Sequence, residues 1–370
     1  MHLDSLRLVR ITLPLVVPFR TSHGVETERD VLLLHVVGDG CEGWSECVAG
    51  GEPSYSAEYT EGAELVIAEH LWPALGRAGD VTAAEVASVL DAFAGHPMAK
   101  AALEMAILDA ELRAADTSLH AYFGGGRDRV PSGVSVGIFE SIDTLLAQVQ
   151  GYVDDGYARI KLKIQPGWDI EPVRQVRDLI GPEMGLQVDA NTAYERTDIE
   201  HLCRLDEFDL LLVEQPLAHD DLLGHAQLAA ASSTPVCLDE SSVSLRSCDD
   251  AIALGAAEIV NIKPGRVGGY LAARRIHDLC YDHGIPVWCG GMLETGIGRA
   301  ANTALAALPG FTLPGDISAS SRFYARDIVV DPITVTDGTV PVADGAGLGF
   351  ELDLAFVESI TTSSRTIDRG

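Results

Sequence analysis

A chain of 370 residues, 47% hydrophobic and 22% charged, suits one large domain or a large-plus-small pair and has no disordered-tail composition. With 26 basic residues against 55 acidic ones, the net charge of −29 leaves no basic face for a nucleic acid or an anionic membrane. An anionic small molecule would have to be met by a local cluster of cations, and the sequence contains one.

The start, MHLDSLRLVRITL, lacks a basic stretch followed by an apolar one, and no apolar run reaches the roughly 18 residues of a membrane span. Seven cysteines (Cys41, Cys47, Cys203, Cys237, Cys248, Cys280 and Cys289) are odd in number and show no CxxC spacing. Reduced thiols and a cytoplasmic location are expected. Leu6–Leu15 and Val31–Val37 read as strands, with Gly38-Asp39-Gly40 a turn. Residues 57–115 show helical periodicity, clearest over Met98–Asp109. Strands followed by helices indicate an α+β unit over 1–125, bounded by Gly124-Gly125-Gly126-Arg127-Asp128.

From 126 to 322 the pattern changes to short β-like runs, each followed by a helix-like stretch. The runs are Gly133–Ile138, Ala158–Ile164, Gly185–Ala190, Leu210–Glu214, Pro235–Asp239, Glu258–Lys263, Pro286–Cys289 and Phe311–Leu313. Equivalent positions are Ser135, Lys163, Asp189, Glu214, Asp239, Lys263, Gly291 and Asp316, with successive spacings of 28, 26, 25, 25, 24, 28 and 25. Repeats of this period predict a closed β/α barrel of the TIM type. No GxGxxG follows the first run, which disfavours a doubly wound open sheet. The segment 323–370 leaves the repeat and holds Asp327–Val330, then Pro332–Val340, then a Gly-rich turn at Gly345–Gly349. It is expected to return to the N-terminal unit.

Barrel strands covered on both faces should be almost wholly apolar. Ala158–Ile164 instead alternates, placing Arg159, Lys161 and Lys163 opposite Ile160, Leu162 and Ile164. Asp189, Glu214 and Asp239 end three consecutive strands, where barrel active sites lie. Three buried carboxylates repel unless a hard divalent cation joins them, and an all-oxygen donor set suits Mg²⁺ better than zinc. Each acid alone reads as readily as a helix cap or an ion-pair partner; three in register do not. Lys161 and Lys163 are expected to depress each other's pKa, and Arg266 to depress that of Lys263, toward the range of a general base. Base, metal and base in that order point to proton transfer next to a metal-bound carboxylate.

The motifs Lys161-Leu162-Lys163, Val188-Asp189-Ala190-Asn191, Glu214-Gln215-Pro216, Leu238-Asp239-Glu240-Ser241 and Asn261-Ile262-Lys263-Pro264 resemble those of the enolase superfamily. Gly265-Arg266-Val267-Gly268-Gly269, Cys289–Gly296, Leu313–Ser320 and Pro18-Phe19-Arg20-Thr21 narrow the resemblance to its N-acylamino acid racemase / o-succinylbenzoate synthase family. The resemblance implies a (β/α)7β barrel with an α+β capping domain formed by the N-terminal region and the C-terminal tail. It implies Mg²⁺ on Asp189, Glu214 and Asp239 (with Mn²⁺ or Co²⁺ as substitutes), Lys163 and Lys263 as the acid/base pair, and Lys161 helping to bind the carboxylate.

Loops at Phe19–Gly24 and Val48–Tyr55 would close the mouth. Ser135, Asn191, Gly291, Met292, Leu293, Phe19 and Phe323 would line the substrate pocket, with Phe139 a further apolar candidate and Arg266 tuning Lys263. The partners implied are a small-molecule carboxylate and further copies of the chain in a homo-oligomer.

Relatives are set aside by particular absences. Pro286-Val287-Trp288-Cys289-Gly290 carries no histidine of the mandelate racemase kind, and Asp316-Ile317-Ser318 lacks the second acid of dipeptide epimerases. The leading expectation is racemisation of N-acyl, above all N-succinyl, amino acids. The alternatives are o-succinylbenzoate synthesis by syn elimination of water in menaquinone biosynthesis, muconate cycloisomerisation, and a silent binding protein on the same barrel.

Overall fold

The computed structural model describes residues 1–369. Its first strands run longer than the apolar pattern indicates: β1 (Leu3–Thr21), β2 (Gly24–Gly38) and β3 (Cys41–Cys47) form an antiparallel meander. Asp39 and Gly40 make the β2–β3 turn with φ of +50° and +74°, the paired positive angles of a tight hairpin. The register of β1 on β2 slips between Pro14 and Phe19, where Pro14 and Pro18 lack the N–H a ladder needs. Phe19–Gly24, expected as a loop, is therefore the far end of a twisted ribbon, with Phe19 paired to Glu26 and Thr21 to Gly24.

The helical region divides into Thr60–Val66, a wider turn at Ile67–Leu71, Trp72–Ala78, Ala83–Val89 and Pro97–Ala114. Pro97–Ala114 is buried nearly all round from Met98 to Ala110, rather than along one stripe. The sheet covers it on one side, where Asp109 accepts from Trp44 N–H, and the barrel on another, where Glu104 accepts from Tyr270 and Leu271 N–H. These contacts satisfy two acids that would otherwise be costly to bury.

After β4 (Arg129–Pro131), seven parallel strands follow one another around a curled sheet in chain order. They are β5 (Gly133–Val136), β6 (Arg159–Lys163), β7 (Gly185–Asp189), β8 (Val213–Glu214), β9 (Val236–Leu238), β10 (Ile259–Ile262) and β11 (Val287–Cys289). The eighth run is not a regular strand. It closes the ring through single bridges, Phe311 to Val287 on one edge and Gly315 to Ser132 on the other. Pro314 between them has no N–H with which to continue a ladder. The fold is thus the expected barrel with its cap.

In the tail, β12 (Thr339–Pro341) pairs with β4, and β13 (Thr361–Asp368) with β1, giving a cap sheet of order β13-β1-β2-β3. Asp327–Val330 contributes one bridge, Val329 to Leu352. The polar TTSSRTID segment carries no alternation that would have marked it as a strand, because β13 is half-buried at most.

Cap and barrel are joined by buried carboxylates set on helix N-termini. Glu46 of β3 accepts from Thr295 N–H and Oγ1 at 3.1 Å and from Gly298 N–H at 2.7 Å, at the start of the helix Gly296–Ala306. Glu104 does the same for Tyr270–Asp282. Such positions favour negative charge. Among the described residues no helix is long and apolar enough to cross a membrane, and every cysteine is free.

Candidate active site

Register brings the polar strand ends together. Lys163 pairs with Asp189 and Asp189 with Glu214 across β6, β7 and β8, so that three charged residues stand side by side. Asp239 and Lys263 each follow the last residue of their strands. Lys161, Lys163, Asp189, Glu214, Asp239 and Lys263 are all buried, none more than 7% exposed.

Each acid is turned toward a cation. Lys163 Nζ donates to Asp189 Oδ2 and Asn191 Oδ1, both at 2.6 Å. Lys161 Nζ lies 3.0 Å from Glu214 Oε2, 3.2 Å from Asp189 Oδ2 and 2.6 Å from Asp316 Oδ2. Lys263 Nζ donates to Asp239 Oδ2 at 2.8 Å and to Tyr55 Oη at 3.0 Å, while Arg266 Nη1 meets Asp239 Oδ1 at 2.5 Å. Asn261 Nδ2 donates to the other Glu214 oxygen at 2.7 Å.

This geometry reverses the expected lysine electrostatics. Burial works to lower the Lys161 and Lys263 pKa values, yet both are held above the ordinary lysine range, Lys161 by Asp316, Glu214 and Asp189 and Lys263 chiefly by Asp239. The repulsion expected between neighbouring cations is outweighed because each faces a carboxylate at hydrogen-bond distance. Among the acids, burial and then Asp189 push Glu214 well up. Burial opposes ionisation of Asp189 and Asp239 as well, but the adjacent cations hold both below the usual carboxylate range.

The donor set fits a hard divalent cation: three buried carboxylates on adjacent strands, one of them destabilised by its neighbour's charge. As the side chains stand, no three acids among the described residues converge closely enough to hold an ion. Lysine and arginine nitrogens sit on Asp189 Oδ2, Glu214 Oε2 and both Asp239 oxygens, so the carboxylates would have to turn from their cations to share an ion.

Above these groups opens a cavity of about 700 Å³, lined by Lys161, Lys163 and Lys263. Phe19, Ser135, Asn191, Gly291, Met292, Leu293 and Phe323 all line it; Phe139 does not and packs, partly buried, against the main core. The cap closes over the mouth where His23, at the β1–β2 tip, meets Tyr55 edge-on with ring centroids 5.6 Å apart.

Several residues of the site make contacts that sequence alone does not assign to them. Tyr55 bridges Lys263 and Arg266 from the cap. Asp316 ties Lys161 to the fully buried Arg159, a link visible in the inward parity of Arg159 and the eighth repeat position. Glu240 accepts from Asn191 Nδ2 at 2.9 Å and so steadies the amide that holds Lys163. Gln215 Oε1 accepts from Asp239 and Ser241 N–H, fixing the turn that carries Asp239. Asn191, Gln215 and Leu293 adopt positive φ of 42°, 37° and 57°, strain of the sort kept where side-chain aim matters.

Comparison with known proteins agrees with this geometry. Residues 5–124 match the mandelate racemase / muconate lactonizing enzyme N-terminal domain, and 144–356 the enolase C-terminal domain-like family. The chain is 58% identical to the N-succinylamino acid racemase of an Amycolatopsis species over 98% of both chains. It is 42% identical to the o-succinylbenzoate synthase of Geobacillus kaustophilus over 100% of this chain and 98% of that one. An enolase superfamily member from Listeria innocua superposes over the whole of both chains with a TM-score of 0.95 at 39% identity. The chain is therefore an enzyme of the enolase superfamily, in the group whose members are named N-succinylamino acid racemase and o-succinylbenzoate synthase.

Proposed function

We infer that the enzyme racemises N-succinyl amino acids by moving the α-proton between two lysines, in the presence of Mg²⁺. The observation that carries this reading is the placement of Lys163 and Lys263. They stand at the ends of β6 and β10, with three strands between them, each against its own carboxylate, and both line one cavity.

Superfamily members generally use Mg²⁺, and Asp189, Glu214 and Asp239 would hold it here. A cation so held would draw carboxylate charge away from the lysines and take up negative charge on the substrate carboxylate as its α-proton leaves. Lys161, on the inward face of β6 beside Lys163, provides a fixed positive charge for that carboxylate. One of Lys163 and Lys263 accepts the α-proton, and the other, across the barrel mouth, delivers a proton to the opposite face, which inverts the centre. Tyr55 and His23 screen the site from water. Asn191 and Arg266 hold the lysines' surroundings in place.

The resemblance to the Geobacillus protein favours o-succinylbenzoate synthesis as a second activity of the same groups. There one lysine would remove the proton and protonate the departing hydroxyl, while Lys263 remains an ammonium beside the developing charge.

The test is ¹H NMR of N-succinyl amino acids in D₂O with Mg²⁺. α-Proton exchange from both enantiomers is expected, abolished by EDTA. Lys163→Ala and Lys263→Ala should each remove exchange from one enantiomer preferentially. Absence of metal-dependent exchange, alongside rapid synthase turnover, would overturn the racemase reading.

A further inference from the structure

The cavity is lined by six lysine and arginine side chains, Arg10, Arg29, Lys161, Lys163, Lys263 and Arg299. Five have acids of their own: Arg10 pairs with Asp30, Arg29 with Glu26, and the lysines with Asp189, Glu214 and Asp239. Among the described residues Arg299 is the exception, with no carboxylate oxygen within 4.0 Å. It is also buried, at 2% exposure.

A buried cation without a counter-charge is costly unless something supplies one. The guanidinium is not free to swing toward solvent for relief. Its Nε donates to Glu294 O at 2.9 Å, and Nη1 to Ser318 O at 2.7 Å and more weakly to Ser318 Oγ. Among the described residues Nη2 has no hydrogen-bond partner, and it is absent from the polar atoms that are both buried and unsatisfied. The Glu294 carboxylate, which also lines the cavity, is taken by Met292 N–H and Asn302 Nδ2.

A second unpaired arginine stands close by. Arg322 is 9% exposed, donates through Nη2 to Ser135 O at 3.1 Å, and has no acid within 4.0 Å. Arg299 and Arg322 lie 5.1 and 4.7 Å from the centroid of the Phe323 ring. In a chain of net charge −29, two buried arginines without acids beside one wall of the cavity make a local positive field. The lysine end of the site already provides for one carboxylate, so this field answers to another anionic group.

We propose that Arg299, supported by the charge of Arg322, binds a second carboxylate of the substrate, at the far end of its acyl chain. The N-succinyl substrate is then held at both ends, one acid at the lysines and one at Arg299 on the Phe323 wall. This rests on the N-succinyl reading, and it serves the synthase reaction equally, since that substrate also carries a succinyl chain. Arg299 is thereby a substrate-binding residue, with no part in the proton transfer.

The test compares binding and turnover of N-succinyl and N-acetyl derivatives of the same amino acids. Titration calorimetry with N-succinylglycine and N-acetylglycine, at equal Mg²⁺, reads the anchor without needing inversion. The native chain is expected to prefer the succinyl ligand by about 10- to 100-fold, the usual range for one hydrogen-bonded charge pair. Arg299→Gln should erase that preference while leaving the N-acetyl ligand within about 3-fold. Arg299→Lys, which keeps the charge, should restore part of it.

Equal loss for both ligands in Arg299→Gln, or no preference in the native chain, would overturn the proposal. An Arg299→Gln chain that fails to fold leaves Arg299→Lys to decide: a folded lysine variant with no succinyl preference above the acetyl level also overturns it. If the succinyl preference is present and Arg299-dependent but no proton exchange occurs, the anchor stands and the racemase reading fails.

Discussion

Glu46→Gln should flatten the pH dependence of stability by an amount that follows from the cap–barrel joint. Glu46 is 2% exposed and its pKa is pushed up to about 7, from 4.5, by burial and by the nearby Glu294, against the three hydrogen bonds it accepts. A folded-state pKa above the unfolded one means that the folded chain binds the proton more tightly. The resulting stability is fully present below about pH 4.5 and is lost as the pH rises through 7. The shift of about 2.5 units, at about 1.4 kcal/mol each, is worth roughly 3 kcal/mol, of which about 2.5 kcal/mol falls between pH 5 and 8.

Gln keeps the shape and one acceptor but cannot ionise. Urea unfolding of both chains at pH 5 and pH 8 is the assay, read as the difference of differences so that Glu104, also pushed up to about 7 by burial, cancels. The native chain should lose about 2.5 kcal/mol more than Glu46→Gln over that interval. Parallel pH profiles would show that burial and Glu294 do not hold the Glu46 carboxylate against its ionised form.

Two further outcomes follow from contacts in the site. A Cβ on Gly290 would collide with the Asn261 amide, which donates to Glu214; Gly290→Ala should therefore weaken Mg²⁺ binding and lower kcat/KM by at least about 10-fold, as overpacking costs of about 1–3 kcal/mol imply. An unchanged metal titration would refute the link. Asn191→Ala removes an acceptor from Lys163 and the partner of Glu240, so proton exchange should fall about 10- to 100-fold for the enantiomer served by Lys163 and far less for the other. Equal losses measured in D₂O for both enantiomers would assign Asn191 to general substrate binding.

Much of this was legible in one chain. Even spacing of strand ends is a property of sequence, and side-chain parity on Arg159–Lys163 follows from strand geometry, so the barrel and its charged mouth could be read directly. The eighth strand could not, since a proline-interrupted segment that closes a ring by single bridges has the composition of a loop. Nor could β13, whose polar residues pair by backbone alone. Tyr55 reaches the site from the cap through contacts some two hundred residues apart in the chain, which local pattern cannot encode; that its loop and the one carrying His23 close the mouth came from the resemblance alone. The lysine electrostatics were misjudged for a related reason. Parity places Lys161 beside Lys163, whereas the sign of the shift depends on which oxygen of which acid lies nearest.

The pairing of β13 with β1 also has a consequence for how the chain assembles. β1 is made first, but its outer edge is satisfied by residues 361–368, which leave the ribosome only after every barrel strand has been made. Until then the cap sheet presents an open hydrogen-bonding edge, the usual template for pairing with another chain. The tail strand therefore works as a late protective seal, and chains shortened before Thr361 are expected to self-associate through β1 even where the barrel has folded.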